Sequence, residues 1–175
     1  GVLTREQFLP HEMRIVAALR MQGASDEQVI VRVKSENLFQ YPTERMVANR
    51  ATVCLRRLDA MVPTDAACAV RGIDSNIAVE AVSSLTRLMA SGTPTQAGQA
   101  IFYSMICRYD IVRELVLVEV GERLQNFDYA FTAVDLNAFM TRFTTEYPDA
   151  ARWTEATVKR IKGSLRQTLR HAGLI

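Results

Sequence analysis

Cysteine, histidine and clustered glycine are all scarce in this chain, and each scarcity removes a class of chemistry. The three cysteines, Cys54, Cys68 and Cys107, lie far apart and form no CxxC pair. Such spacing fits reduced core thiols in a cytoplasmic protein better than disulfides or a zinc site. The two histidines, His11 and His171, sit in no HExxH pattern and near no cysteine at ligand spacing, so a zinc or catalytic role is not expected of them. A carboxylate di-metal site in a helical bundle needs inward-facing Glu-x-x-His pairs. None is present, and Glu114, Glu119 and Glu122 read as a surface row. The eight glycines occur singly, so no Gly-rich phosphate loop is available. Neither GxSxG nor SxxK offers a nucleophile. No apolar run reaches the roughly 18 residues of a membrane span, no signal peptide is seen, and Gly1 in place of methionine reads as a trimmed start. The expectation is a cytoplasmic, non-enzymatic protein with no cofactor, no metal and no membrane partner.

What is present is an ordinary globular composition, 49% apolar against 23% charged, which argues against disorder. A chain of 175 residues makes one domain or two tightly packed small ones and buries roughly two-thirds of its unfolded surface. Net charge is only +2, so a uniformly basic coat is excluded. The distribution is uneven, however. Residues 152–175 hold six Lys/Arg and one acid, Glu155, a local +5 that leaves −3 on the other 151 residues. A basic face on a near-neutral body can still make a polyanion footprint.

That face lies on the last predicted helix. Thr154 is a good N-cap, and Trp153 before it can staple onto Val158. Val158, Ile161, Leu165, Leu169 and Ala172 fall on one stripe at helical spacing. Lys159, Lys162, Arg166 and Arg170 fall on a second stripe, roughly one residue round the cylinder. Gly173 is placed to end the helix, and Leu174 and Ile175 begin something extended. A reading helix of a winged helix-turn-helix ends this way before its wing. Two readings stand on these residues: a solvated Lys/Arg face, or a phosphate-binding edge with Arg160 and the Arg45, Arg50, Arg56 and Arg57 rows as secondary contacts. Ser164 and Gln167 could read base edges if the helix enters a groove. Tyr41, Tyr103 and Tyr109 near Arg45 and Arg108 could stack on bases, though tyrosine beside arginine is common on ordinary surfaces.

Nearly every other segment also carries a 3.6-residue period. Helices are expected over about 11–22, from a Ser25 cap to 37, from a Thr43 cap to 61, from Thr64 to Gly72, from Asp74 or Ser75 through Met89, from Thr93 to 108, over 110–124, from Thr132 towards Pro148, and from Trp153 onward. Ser25 and Thr132 open with capping-box patterns, to Gln28 and Asp135. In the 110–124 helix, Ile111, Leu115, Val118 and Leu124 are expected inward. The Ala-, Ser- and Val-rich stretch after Pro63 reads as structural filler. The expectation is an all-α bundle of eight to nine helices. Its parts are a helix-turn-helix-like 1–62, a central body 63–131 and a winged-helix-like 132–175, packed as one globular unit.

Four stretches carry more than composition can: Ser35-Glu36-Asn37-Leu38-Phe39-Gln40, the helix ending Leu55-Arg56-Arg57-Leu58, the helix 109–123, and above all Leu165-Arg166-Gln167-Thr168-Leu169-Arg170-His171-Ala172-Gly173-Leu174-Ile175. Together they resemble the BrxA family of BREX bacteriophage-exclusion systems, in the same order and over most of the chain. The ending is the most specific piece and 59–91 the least. The resemblance implies a small, cytoplasmic, non-enzymatic accessory protein of a defence operon, similar to NusB-type helical bundles with helix-turn-helix character. It further implies nucleic acid as a partner, DNA ahead of RNA, together with other BREX proteins. The alternative is a protein–protein scaffold in the BREX complex that never touches nucleic acid. A wing or tail is expected where the chain stops at Ile175.

Overall fold

Helix takes up 78% of the residues described by the computed structural model, and no strand occurs among them. The described residues are Leu3, 7–128 and 130–175. The all-α class expected from the 3.6-residue periodicity is the class adopted. Local signals set most boundaries. Ser25 and Thr132 each accept a backbone N–H three residues on, while Gln28 and Asp135 reach back to the cap N–H, so both capping boxes form. Thr43, Thr64 and Thr154 cap α3, α4 and α11 below in the same way without the return bond; each such cap contributes about 1 kcal/mol.

The chain divides into two compact units, one of them Leu9–Arg108 and the other the segments on either side of it. The first unit, Leu9–Arg108, contains α1 (Pro10–Met21), α2 (Asp26–Ser35), α3 (Glu44–Met61), α4 (Asp65–Arg71), α5 (Ser75–Ser91) and α6 (Pro94–Arg108). α1 packs on α5, α3 and α6 and contributes Met13, Val16 and Ala17 to a core shared with Ala51, Met89, Ile101 and Met105. Pro10 starts α1 with its φ already helical. Arg14 on α1 donates to the carbonyls of Ala90 and Gly92, satisfying acceptors that the end of α5 leaves without helical partners. The stretch that reads as filler is buried at Cys68 on α4 and along one side of α5, at Thr86 and Met89. Val70, Ile73 and Ile77 are exposed.

The second unit holds Tyr109–Ile175 and the N-terminal segment, of which Leu3, Gln7 and Phe8 are described. One continuous rod covers 110–125: α7 (Asp110–Glu114), a π-helical stretch (Leu115–Val120) and α8 (Gly121–Gln125). Then come α9 (Ala133–Glu146), the single turn α10 (Pro148–Ala151) and α11 (Glu155–Ala172). The π stretch reads Leu-Val-Leu-Val-Glu-Val, and β-branched side chains crowd a regular α turn. Its wider i→i+5 turns shift the phase of the rod. Ile111, Val112 and Leu115 are therefore buried as the period predicts, but Val118 is only half-buried and Leu124 is 51% exposed. Phe139, Phe143, Tyr147 and Trp153 form a run of ring contacts beneath which α9 and α11 pack.

Leu174 and Ile175 do not form a strand. Gly173 takes φ +76°, its N–H bonds the Arg170 carbonyl, and the Leu174 N–H bonds the Leu169 carbonyl. This is a Schellman closure. It bends Leu174 back along the helix instead of sending the chain outward as a strand.

Candidate nucleic-acid interface

α11 runs 18 residues from the Thr154 cap to Gly173. Ile161, Leu165 and Leu169 are buried as the stripe predicts, with Val158 and Ala172 half-buried at its ends. Thr168 joins them at 1% exposure, its hydroxyl donating to the Ser164 carbonyl at 2.8 Å. That local bond lets a polar side chain sit in the core without an unmet donor.

Lys159, Arg166 and Arg170 are exposed on the neighbouring edge, and Lys162 is half-buried with Nζ donating to Asn137 Oδ1 at 3.0 Å. Arg160 is exposed off that edge because single-residue steps turn the helix by about 100°. None of these five cations has a carboxylate partner among the described residues. Elsewhere the pattern is mixed: Arg45, Arg56, Arg71, Arg87 and Arg152 also lack a carboxylate partner among the described residues, while six other cations have one. Arg20 pairs with Asp26 and Asp59, Arg32 with Glu36, Lys34 with Glu44, Arg113 with Asp110, Arg123 with Asp128 and Asp135, and Arg142 with Glu119 and Glu146. The hydrogen bonds that Arg142 donates to the two carboxylates, Glu119 foremost, hold its pKa above its ordinary value. α11 keeps its cations free of such ties because Glu155, in its first turn, is its only acid.

The secondary rows on α3, in the other unit, do not stay together. Arg45 and Arg56 are exposed. Arg50 is half-buried on the side of Tyr41 and Cys54, whose ionisation its charge favours. Arg57 is 0% exposed, so as a phosphate contact it is corrected: its row borders the buried Val47–Cys54–Met61 stripe, and the helix turns the guanidinium inward. The tyrosines are equally dispersed. Tyr41 donates its hydroxyl to Glu12, and its pKa is pushed up to about 12, first by burial and then by that carboxylate. Tyr109 is buried, and Tyr103 is exposed beside Cys107. Cys54 is a fully buried thiol, also pushed up to about 12 by burial.

One feature of the site had no sequence signal beyond a capping box. The start of α9 and the last turns of α11 enclose a cleft of about 260 Å³, lined by Phe131, Thr132, Ala133, Leu136, Arg166 and Arg170 with Ile175 at its edge. A second hollow of about 320 Å³ lies beside it, where Arg123, Leu124, Leu169 and Leu174 meet. Among the described residues no three His, Cys, Asp or Glu side chains gather as metal ligands, and no helix is long and apolar enough to cross a membrane.

Fold and surface together define a class: an all-helical protein that holds the cationic edge of one long helix open and unpaired. Within that class the chain belongs to the BrxA family, whose model matches residues 1–175, the whole sequence. BrxA is an accessory-protein family, and membership makes this chain a component of a BREX phage-defence system. No curated protein matches the chain.

Proposed function

We propose that this chain is the nucleic-acid-binding accessory protein of its BREX system, working in the cytoplasm and taking DNA ahead of RNA through the open edge of α11. Lys159, Lys162, Arg166 and Arg170 neutralise successive phosphates, with Arg160 and, on the other unit, Arg45 and Arg56 as outlying contacts. One observation carries the reading: five cations without an acid partner among the described residues gather on one helix, whose only acid is Glu155 in the first turn. An unpaired cation gives up no existing ion pair when a phosphate arrives.

The test is a salt-titrated gel shift on duplex DNA, single strands and RNA, with Arg166→Glu/Arg170→Glu beside the parent chain. Parent binding is expected to fall steeply with salt, and the double reversal to weaken binding on every sequence about a hundredfold and to lower the logarithmic salt slope by about 2. Equal retention of both proteins at all salt concentrations overturns the reading.

A second reading, docking onto other BREX proteins, has its own observation. Val70 is 89% and Ile77 64% exposed, with Ile73 between them, and contiguous exposed apolar side chains mark protein-contact surfaces. Val70→Asp/Ile77→Asp should abolish co-purification with BREX partners and leave the gel shift untouched; intact co-purification removes this reading.

A further inference from the structure

The cleft between α9 and α11 has walls of opposite character. Arg166 and Arg170 stand on one wall, four residues apart and so stacked along the helix about 6 Å from each other. Across from them Thr132 and Ala133 begin α9, where a helix leaves its first N–H groups without intrahelical partners and carries partial positive charge. Phe131, half-buried, and Leu136, buried, supply an aromatic and an aliphatic surface in the same cleft.

The carboxylate in the first turn of α9 is already satisfied. Asp135 Oδ1 accepts from Arg123 at 2.6 Å, and Oδ2 accepts from the Thr132 N–H and hydroxyl at 2.7 and 2.6 Å. Arg123 stands over the Phe131 ring at 5.8 Å and lines the neighbouring hollow, not this cleft. Phe131 lines both spaces.

Such a site suits an anion joined to a flat apolar body. Its volume is just below the roughly 300–1,000 Å³ of ligand sites, which is room for one monomer unit of a strand. A paired base cannot enter, since it is held between its stacking neighbours; an unpaired one can leave the stack and lie on an aromatic side chain.

We propose that this cleft holds one unpaired nucleotide of a bound strand, its phosphate across Arg166 and Arg170 and its base against Phe131 and Leu136. The inference rests on the nucleic-acid reading above and deepens it: the preferred ligand carries a single-stranded end, overhang or junction.

The full chain is titrated by fluorescence anisotropy against a blunt duplex, the same duplex with a short overhang and the overhang strand alone, each as DNA and as RNA. A 2-aminopurine is placed in the overhang. The overhang is expected to bind about tenfold more tightly than the blunt duplex, within the range that one base–aromatic stack contributes, and its 2-aminopurine emission to be quenched. Phe131→Ala should bring the overhang down to the blunt level. Ala133→Leu, at an exposed position, should do the same by filling the cleft without touching the core, which keeps the test sound if Phe131→Ala folds poorly. Blunt and overhang substrates that bind alike, or emission unchanged on binding, overturn the pocket and leave the phosphate-binding edge standing. An Ala133→Leu protein that keeps the overhang preference does so too. No binding to any substrate overturns both.

Discussion

α3 and α11 look alike on paper. Each is 18 residues long, and each carries a set of four cations assigned to phosphate contact, Arg45, Arg50, Arg56 and Arg57 on one and Lys159, Lys162, Arg166 and Arg170 on the other, with Arg160 a fifth on α11. In three dimensions they part. α3 sends Arg45 and Arg56 outward, keeps Arg50 half-covered and submerges Arg57, while α11 holds its four along one open edge. The lesson lies in phase. A cation whose angle on the helix lies close to the buried stripe can be engulfed, and one further round the cylinder stays in water. Counting charges along a helix measures neither.

The largest effect expected from this contrast is at Arg57. Arg57→Ala leaves a cavity and strands the groups that the guanidinium satisfies, a loss of about 3–5 kcal/mol, read as a lower urea midpoint. A loss under about 0.5 kcal/mol would put Arg57 in the same class as Arg166. Next comes Arg166→Glu/Arg170→Glu. Its effect belongs to binding, about a hundredfold as set out above, with stability changed by under about 0.5 kcal/mol because both side chains are exposed. A large drop in stability here would mean that the edge is structural. Arg142→Met lies between the extremes. It cuts the bonds to Glu119 and Glu146 and should cost about 1 kcal/mol with no change in the gel shift.

A further effect is a pH dependence to which Tyr41 and Cys54 contribute on the α3 side. The Tyr41 hydroxyl titrates near 12 in the folded chain and about 10 unfolded. A raised folded value means its stabilisation is whole below about pH 10 and is lost as pH climbs towards 12. Cys54, also near 12, starts losing its share from the ordinary thiol range upward. Denaturant midpoints between pH 8 and 11 should therefore fall for the parent chain and fall less for Tyr41→Phe and for Cys54→Ala. Identical slopes in all three would remove these groups from the account.

Much of the molecule was readable in advance because its signals are local. Ser25–Gln28 and Thr132–Asp135 needed only their own four residues to place two helix starts, and Ile161, Leu165 and Leu169 needed only their spacing. What escaped depends on partners distant in the chain or on departures from ideal geometry. Thr168 is a core residue because its hydroxyl finds Ser164, which composition ranks as polar. Leu124 turns outward because the π stretch before it slips the register. In place of the extended start expected at Leu174, backbone bonds close the helix at Gly173, which the Ala-Gly-Leu-Ile pattern allows equally well. The cleft beside Arg166 exists only because α9 begins where α11 ends, and no property of either helix alone announces it.

The closure at Gly173 also bears on the laboratory handling of this protein. Ile175 lies at the rim of the cleft that holds Arg166 and Arg170, so a polyhistidine extension joined there would emerge among those guanidinium groups. Its imidazoles would add their own pH-dependent charge and bulk at the mouth. Affinities measured on such material would report the purification handle along with the ligand, and protease removal of the handle before any titration separates the two.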